Sequence, residues 1–147
     1  MAESLICTMS VPQRLQAGAP VELVFRLSNL TPQPLFVLSW HTPLEGLLND
    51  IFHVTRDGTE LPYTGEMMKR GPPAASAYVT LAPGSSAEAQ VELSQAYDFK
   101  QPGKYRIEFR GPLKDVTTKR AEVPHPPGKP QPLEVECAAV ETTIVSP

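Results

Sequence analysis

The sequence predicts an all-β fold, an immunoglobulin-like antiparallel β-sandwich of about eight short strands. Two observations predict it. The chain holds 17 prolines among 147 residues, too many for a helical bundle, because proline inside a helix breaks it. Apolar side chains also recur at every second position in several short segments, which is the period of a half-buried strand. With 41% apolar and 20% charged residues, residues 1–147 have the composition of a single globular domain.

The first part of the chain supplies about half of the predicted strands. They are expected at residues 4–10, 21–29, 35–40 and 51–55. The clearest is 21–29, where four apolar residues alternate with polar ones except at Val24. Residues 35–40 are apolar except at Ser39, as a strand covered on both faces would be. Asp57-Gly58 is typical of a two-residue hairpin turn, so a short partner strand is expected around residues 60–63.

The second part of the chain continues the same pattern. Strands are predicted at residues 77–81, 87–93 and 104–110, and the Pro83-Gly84 turn joins the first two. Residues 123–132 contain five prolines and predict an extended connection that cannot lie inside a sheet. Residues 133–145 are expected to supply one or two closing strands that pack back onto the same domain.

Two tyrosines flank the bend before the strand at 104–110. Either Tyr97 or Tyr105 could donate its hydroxyl to the backbone, as a tyrosine corner does in immunoglobulin-like folds. The alternative is that both rings simply fill the edge of the core. The sequence leaves both interpretations open.

Charge and targeting features predict a cytoplasmic protein. The net charge of -3 gives no reason to expect nucleic acid or an anionic membrane as a partner, and the cations clustered between residues 100 and 120 are expected on the solvent face of a strand and its loop. No apolar run reaches the roughly 20 residues of a membrane helix, and the first residues lack the basic and apolar parts of a secretory signal.

Cys7 and Cys137 are the two cysteines of the chain. In a reducing cytoplasm they are expected as free buried thiols, with a Cys7–Cys137 bridge as the alternative if the first and last strands are neighbours.

The sequence shows no constellation of catalytic residues. The three histidines lie far apart, with His53 expected to point outward from a strand and His125 to be solvated between prolines. We find no zinc-protease helix motif, no Cys-x-x-Cys and no glycine-rich phosphate loop. No catalytic residue, metal ligand or cofactor is therefore predicted. An enzyme acting through Cys7 or His41 is the alternative.

Two loops are the candidate partner-binding surface. Residues 40–50 place a tryptophan and three leucines close together, and residues 64–76 hold two methionines and two cations between glycines, which is typical of an adaptable contact surface. The alternative is that the leucines cover the open end of the sandwich and that the 64–76 loop is merely solvated. The candidate residues are Trp40, His41, Leu44, Glu45, Leu47, Met67, Met68, Lys69 and Arg70.

A series of short motifs between residues 29 and 105 carries a family resemblance. The series is Asn-Leu-Thr (29–31), Thr-Pro-Leu-Glu-Gly (42–46), Phe-x-Val-x-x-Asp-Gly (52–58), Tyr-x-Gly (63–65), Lys-Arg-x-x-Pro (69–73), Leu-x-Pro-Gly (81–84), Leu-Ser-x-x-Tyr-Asp (93–98) and Gly-x-Tyr (103–105). It resembles the pro-region of deuterolysin-like and peptidyl-Lys zinc endopeptidases, over roughly half of the chain.

The resemblance implies a non-catalytic module whose partner is a zinc endopeptidase. The catalytic domain that follows this module in the family has no counterpart in the sequence. A free-standing copy is expected to act in trans, as a peptidase inhibitor or folding assistant, with Lys69 as the residue to insert into the cleft. The alternative is a structural β-sandwich that pairs through its edge strands or loops with itself or a partner.

Overall fold

The computed structural model describes residues 5–71, 73–119 and 131–147. This part of the chain folds into eleven strands, and its helical segments are single 3-10 turns at Pro43–Glu45, Ala75–Ala77 and Leu93–Gln95. The strands are β1 (Leu5–Ser10), β2 (Arg14–Gln16), β3 (Glu22–Asn29), β4 (Leu35–Leu38), β5 (Phe52–Arg56), β6 (Thr59–Glu60), β7 (Tyr78–Leu81), β8 (Ser86–Glu92), β9 (Gly103–Phe109), β10 (Val116–Thr117) and β11 (Val140–Val145).

The strands form three sheets that enclose one core. Their orders are β1-β3-β8, β10-β4-β7 and β2-β11-β9-β5-β6. The pairings are antiparallel except that β2 runs parallel to β11. The rings of Phe25 on β3 and Phe109 on β9 lie 5.2 Å apart, so the first and third sheets pack face to face. The predicted antiparallel β-sandwich is confirmed.

Alternation along the strands builds this core. On β3, Leu23, Phe25 and Leu27 are completely buried, whereas the intervening residues are exposed or half-buried. Burying one such side chain stabilises the fold by about 1.5–3 kcal/mol. All four residues of β4 are buried, as its continuous apolar sequence predicts for a strand covered on both faces.

Both turns that the sequence predicts, Asp57-Gly58 and Pro83-Gly84, connect strands in the structure, but only the first closes a hairpin. Asp57 and Gly58 both adopt positive φ (49° and 87°), and Arg56 pairs with Thr59 across them, which is the geometry of a two-residue hairpin. The partner strand is shorter than predicted and lies at Thr59–Glu60. The turn at 83–84 joins strands of different sheets, because β7 pairs with β4 and β8 pairs with β3.

The ends of the chain differ most from the prediction. The strands β2 and β10, three and two residues long, were not predicted. The closing region contributes β11 and two isolated bridges, one from Leu133 to Leu113 and one from Cys137 to Cys7. The Pro-rich connection at 123–132 lies mostly outside the described residues, as does His125.

Candidate protein-binding site

The first candidate loop is built by the Thr-Pro-Leu-Glu-Gly motif. Thr42 caps the 3-10 turn at Pro43–Glu45: its Oγ1 accepts the Leu44 N–H at 3.1 Å and donates to the Ser39 carbonyl at 2.7 Å. Proline suits the first position of such a turn, because its fixed φ is already helical and no hydrogen bond is lost. Gly46, at φ 94°, ends the turn. The motif therefore fixes one local conformation.

His41 connects this turn to the preceding strand. Its φ of 61° lies in the left-handed region, which histidine tolerates better than bulkier residues do. Its N–H donates to Glu45 Oε2 at 2.8 Å. Burial lowers the pKa of the His41 imidazole, the positive charges of Lys114 and Arg70 lower it further, and Glu45 partly offsets them. Together these effects favour the uncharged form of the ring.

The second candidate loop is joined to the first by Arg70. A guanidinium nitrogen of Arg70 lies 2.6 Å from Glu45 Oε1, and the guanidinium carbon lies 4.5 Å from the centre of the Trp40 ring. The side chains of Arg70 and Glu45 are only 19% and 9% exposed. Within the described residues, Glu45 Oε1 receives no well-aligned hydrogen bond, so the ion pair is what neutralises it. We call Trp40, Glu45 and Arg70 the clamp.

Between glycines 65 and 71, the four consecutive residues 66–69 are exposed. Met67 is 66% exposed, Met68 is 45% exposed and Lys69 is exposed as well. The backbone beneath them is held, because the Met68 N–H donates to the Leu48 carbonyl at 3.0 Å. We call Met67, Met68 and Lys69 the tip. Exposed apolar side chains on a fixed backbone are typical of a contact surface.

The nine candidate residues thus divide into three groups. Arg70 contacts both Trp40 and Glu45, and the His41 N–H donates to Glu45. Leu44 and Leu47 are half-buried against the core, as expected of residues that cover the open end of a sandwich. Of the nine candidates, only the three tip residues are exposed. The sequence did not indicate that Arg70 turns inward, because its ion pair depends on a contact between distant loops.

Lys114 is a residue near this site that the sequence analysis missed. Its charge acts on the His41 ring, although the two residues lie far apart in the chain. The only signal in the sequence was its membership of the basic run between 100 and 120. Other cations of that run face carboxylates across the third sheet: Lys104 lies 3.4 Å from Glu141 and Arg110 lies 2.9 Å from Glu60.

Both tyrosines in question bond to the backbone. The Tyr105 hydroxyl donates to the Gln101 carbonyl at 2.6 Å, four residues upstream, which is the tyrosine-corner geometry. The Tyr97 hydroxyl lies within hydrogen-bond distance of Asp50 Oδ1 (3.0 Å) and the Phe52 carbonyl (3.1 Å). Burial, with the Asp50 charge second, raises the pKa of Tyr97 well above its ordinary value of 10.0. Both rings are also buried, so the two interpretations hold together.

The expectation of free thiols is wrong. Cys7 on β1 and Cys137, in the segment before β11, form a disulfide with their Cα atoms 4.8 Å apart. The register brings them together, because they form a parallel bridge at the edge of the first sheet. A sulfur held in a disulfide is no nucleophile, so this state of Cys7 does not support the enzymatic alternative.

The described residues assemble no metal centre. Across 5–71, 73–119 and 131–147, no three histidine, cysteine, aspartate or glutamate side chains converge as ligands. A cleft of about 560 Å³ is lined mainly by threonine, proline, leucine and glutamine side chains near Leu35 and Thr117. In the same residues, no helix is long and apolar enough to cross a bilayer.

Comparison with protein-family models agrees with the architecture. The family model of an immunoglobulin-like domain matches residues 8–125. A protein named "Extracellular protease" from Aeromonas hydrophila is 33% identical over 89 residues. The aligned region is 60% of this chain and 25% of the relative, so the chain spans about a quarter of the relative's length. The CARDB domain of a Pyrococcus furiosus protein, crystallised in complex with di-metal ions, superposes over 97% of this chain and 94% of its own, with a TM-score of 0.42 and 13% identity.

Proposed function

Because this chain belongs to the immunoglobulin-like domain family, we propose that it is a non-catalytic binding module that acts in trans on a peptidase, as an inhibitor or a folding assistant. The similarity to part of an extracellular protease supports a peptidase as the partner. The motif series that resembles a zinc-endopeptidase pro-region supports the same partner class, because pro-regions occlude the cleft of their enzyme or assist its folding.

The observation that carries this proposal is the tip. Met67 and Met68 expose two flexible thioethers, which adapt to irregular apolar surfaces. The backbone below them is fixed by the hydrogen bond from Met68 to Leu48. A surface ordered before binding loses little conformational entropy when it docks, so a small tip can bind tightly.

We also propose an oxidising compartment in place of the cytoplasm. The Cys7–Cys137 disulfide supports it, because disulfides persist outside the reducing cytosol. The relative's name, which calls that protease extracellular, supports the same location.

The test uses the Aeromonas hydrophila extracellular protease as the probe. We expect the purified chain to slow its turnover of a peptide substrate in a saturable manner, or to raise the yield of active enzyme after refolding from denaturant. Unchanged turnover together with an unchanged refolding yield would contradict the proposal.

A double variant and a control variant test whether the tip is the contact surface. Replacing Met67 and Met68 by serine is expected to weaken the effect about tenfold, because apolar residues at the centre of an interface carry most of its binding energy. Leu30→Ser is the control, since Leu30 is 63% exposed but follows β3 and belongs to neither candidate loop. Equal losses in both proteins would show that the tip is not the contact surface.

A further inference from the structure

We infer that the clamp of Trp40, Glu45 and Arg70 locks the tip against cleavage and presents Lys69 to a peptidase pocket that contains a carboxylate. The inference deepens the proposed function and rests on it for the nature of the partner. Its structural half, the locking of the tip, is testable on the free protein.

The clamp differs physically from the surface ion pairs of this molecule. The Arg26–Glu88 pair spans 3.4 Å with side chains 52% and 55% exposed, whereas the clamp pair spans 2.6 Å with side chains 19% and 9% exposed. Exposed pairs contribute little, because water screens them and the side chains lose entropy. A pair withdrawn from water is different: removing one partner leaves an uncompensated charge behind.

Glu45 uses both carboxylate oxygens to join the two loops. Oε1 contacts Arg70, and Oε2 accepts the N–H of His41 in the first loop. The Arg70 guanidinium also lies over the Trp40 ring, where a cation gains from the negative face of the aromatic system. The backbone immediately after Lys69 is therefore fixed by a charge contact and a ring contact.

The backbone before and within the tip is fixed as well. The Thr64 N–H donates to the Ala96 carbonyl at 2.8 Å, the Tyr63 hydroxyl donates to the Glu66 carbonyl, and the Met68 N–H donates to the Leu48 carbonyl. A peptidase must open a segment locally before it can cleave it, so a segment held at both ends is cleaved slowly. An exposed side chain on such a segment can occupy a specificity pocket without being processed.

The charge distribution selects Lys69 as the anchor. Arg70 is neutralised by Glu45 and turned inward, so Lys69 is the cation that the tip offers to a partner. An ammonium group that leaves water is stabilised only opposite a negative group. A pocket that accepts lysine next to the scissile bond and carries a carboxylate has this chemistry.

The first experiment measures cleavage of the free protein by an endopeptidase that cuts only after lysine. We expect Glu45→Gln and Arg70→Met each to speed cleavage after Lys69 at least about tenfold, because local opening becomes easier. The double variant should be cleaved no faster than the faster single variant, since both remove the same clamp. Arg26→Met, which breaks the exposed pair, is the control and should leave the rate unchanged. Equal rates in all proteins would overturn the clamp.

A measurement on the unaltered protein covers the case in which a clamp variant fails to fold. The Met68 amide is expected to exchange its hydrogen far more slowly than in an unstructured peptide, although the Met68 side chain is exposed. If the Met68 amide exchanged its hydrogen as fast as an unstructured peptide does, the inference that the clamp locks the tip would also be overturned.

The second experiment tests the anchor with the same lysine-specific endopeptidase. The intact protein should compete with a lysyl peptide substrate, Lys69→Gln should lose this competition, and Lys100→Gln, an exposed lysine elsewhere, should retain it. Absence of competition by the intact protein would overturn the anchor. Absence of any effect on the Aeromonas hydrophila protease, with competition and slow cleavage observed here, would instead contradict the proposed function alone.

Discussion

At the scale of single residues, Asn29 shows how a short motif encodes structure. Its side chain is completely buried and fully bonded: Nδ2 donates to the carbonyls of Gln33 and Leu81, and Oδ1 accepts from the N–H and hydroxyl of Thr31. Asn-Leu-Thr also has the form of a glycosylation sequon, but this asparagine nitrogen is occupied within the fold. The motif joins the end of β3 to the end of β7.

Asn29→Ala is therefore expected to lower the free energy of unfolding by about 2–3 kcal/mol, because it leaves the buried Leu81 carbonyl without its donor. Urea unfolding measures the loss. Gln33→Ala is the control, since the exposed Gln33 side chain takes no part and its backbone carbonyl remains. If Asn29→Ala and Gln33→Ala lowered the free energy of unfolding equally, the hydrogen bonds of Asn29 would contribute no more than an exposed side chain does.

At the scale of elements, periodicity and turn chemistry predicted most of the sandwich. The strand β3 was predicted because its apolar positions alternate over eight residues, and the Asp57-Gly58 hairpin because few residue pairs suit two successive positive φ values. The strands β2 and β10 were missed, because two or three residues carry no measurable period. The contact between the candidate loops was also missed, since Glu45 and Arg70 meet only through tertiary packing.

The same hairpin gives an element-scale prediction at the start of β9. The Asp57 N–H donates to the Lys104 carbonyl at 2.8 Å, and Asp57 Oδ1 accepts the Lys104 N–H at 3.0 Å. The hairpin therefore docks tightly beside Gly103. A Cβ at Gly103 would lie 2.7 Å from Asp57 Oδ2 and 3.0 Å from Arg56 Cγ, and its φ of 155° is unfavourable for other residues.

Gly103→Ala is expected to destabilise the protein by about 1–3 kcal/mol, because it adds both crowding and backbone strain. The midpoint of thermal unfolding reports the loss. Gly71→Ala is the matched control, since a Cβ there meets no atom within 4 Å and no positive φ is involved. A similar shift for the two variants would contradict the proposed close approach of the hairpin to β9.

At the scale of the whole molecule, the disulfide connects the two ends of the chain. Cys7 and Cys137 lie 130 residues apart in sequence, and the bond ties β1 in the first sheet to the segment that enters β11 in the third. Free thiols and a disulfide were both open from the sequence, and the expectation of a reducing cytoplasm favoured free thiols, which is wrong. The choice depends on whether the first and last parts of the chain are adjacent in space, and that is a property of the folded molecule.

Replacing both cysteines by alanine is expected to lower the free energy of unfolding by about 2–5 kcal/mol, because the bond restricts the unfolded chain more than the folded one. The fold itself should persist, since β11 pairs with both β2 and β9 without the bond. Reductant should bring the unaltered protein down to nearly the stability of the variant and leave the variant unchanged. If reductant changed neither protein while the variant remained less stable, the loss would come from core packing around Cys7, and the bond would contribute nothing to stability.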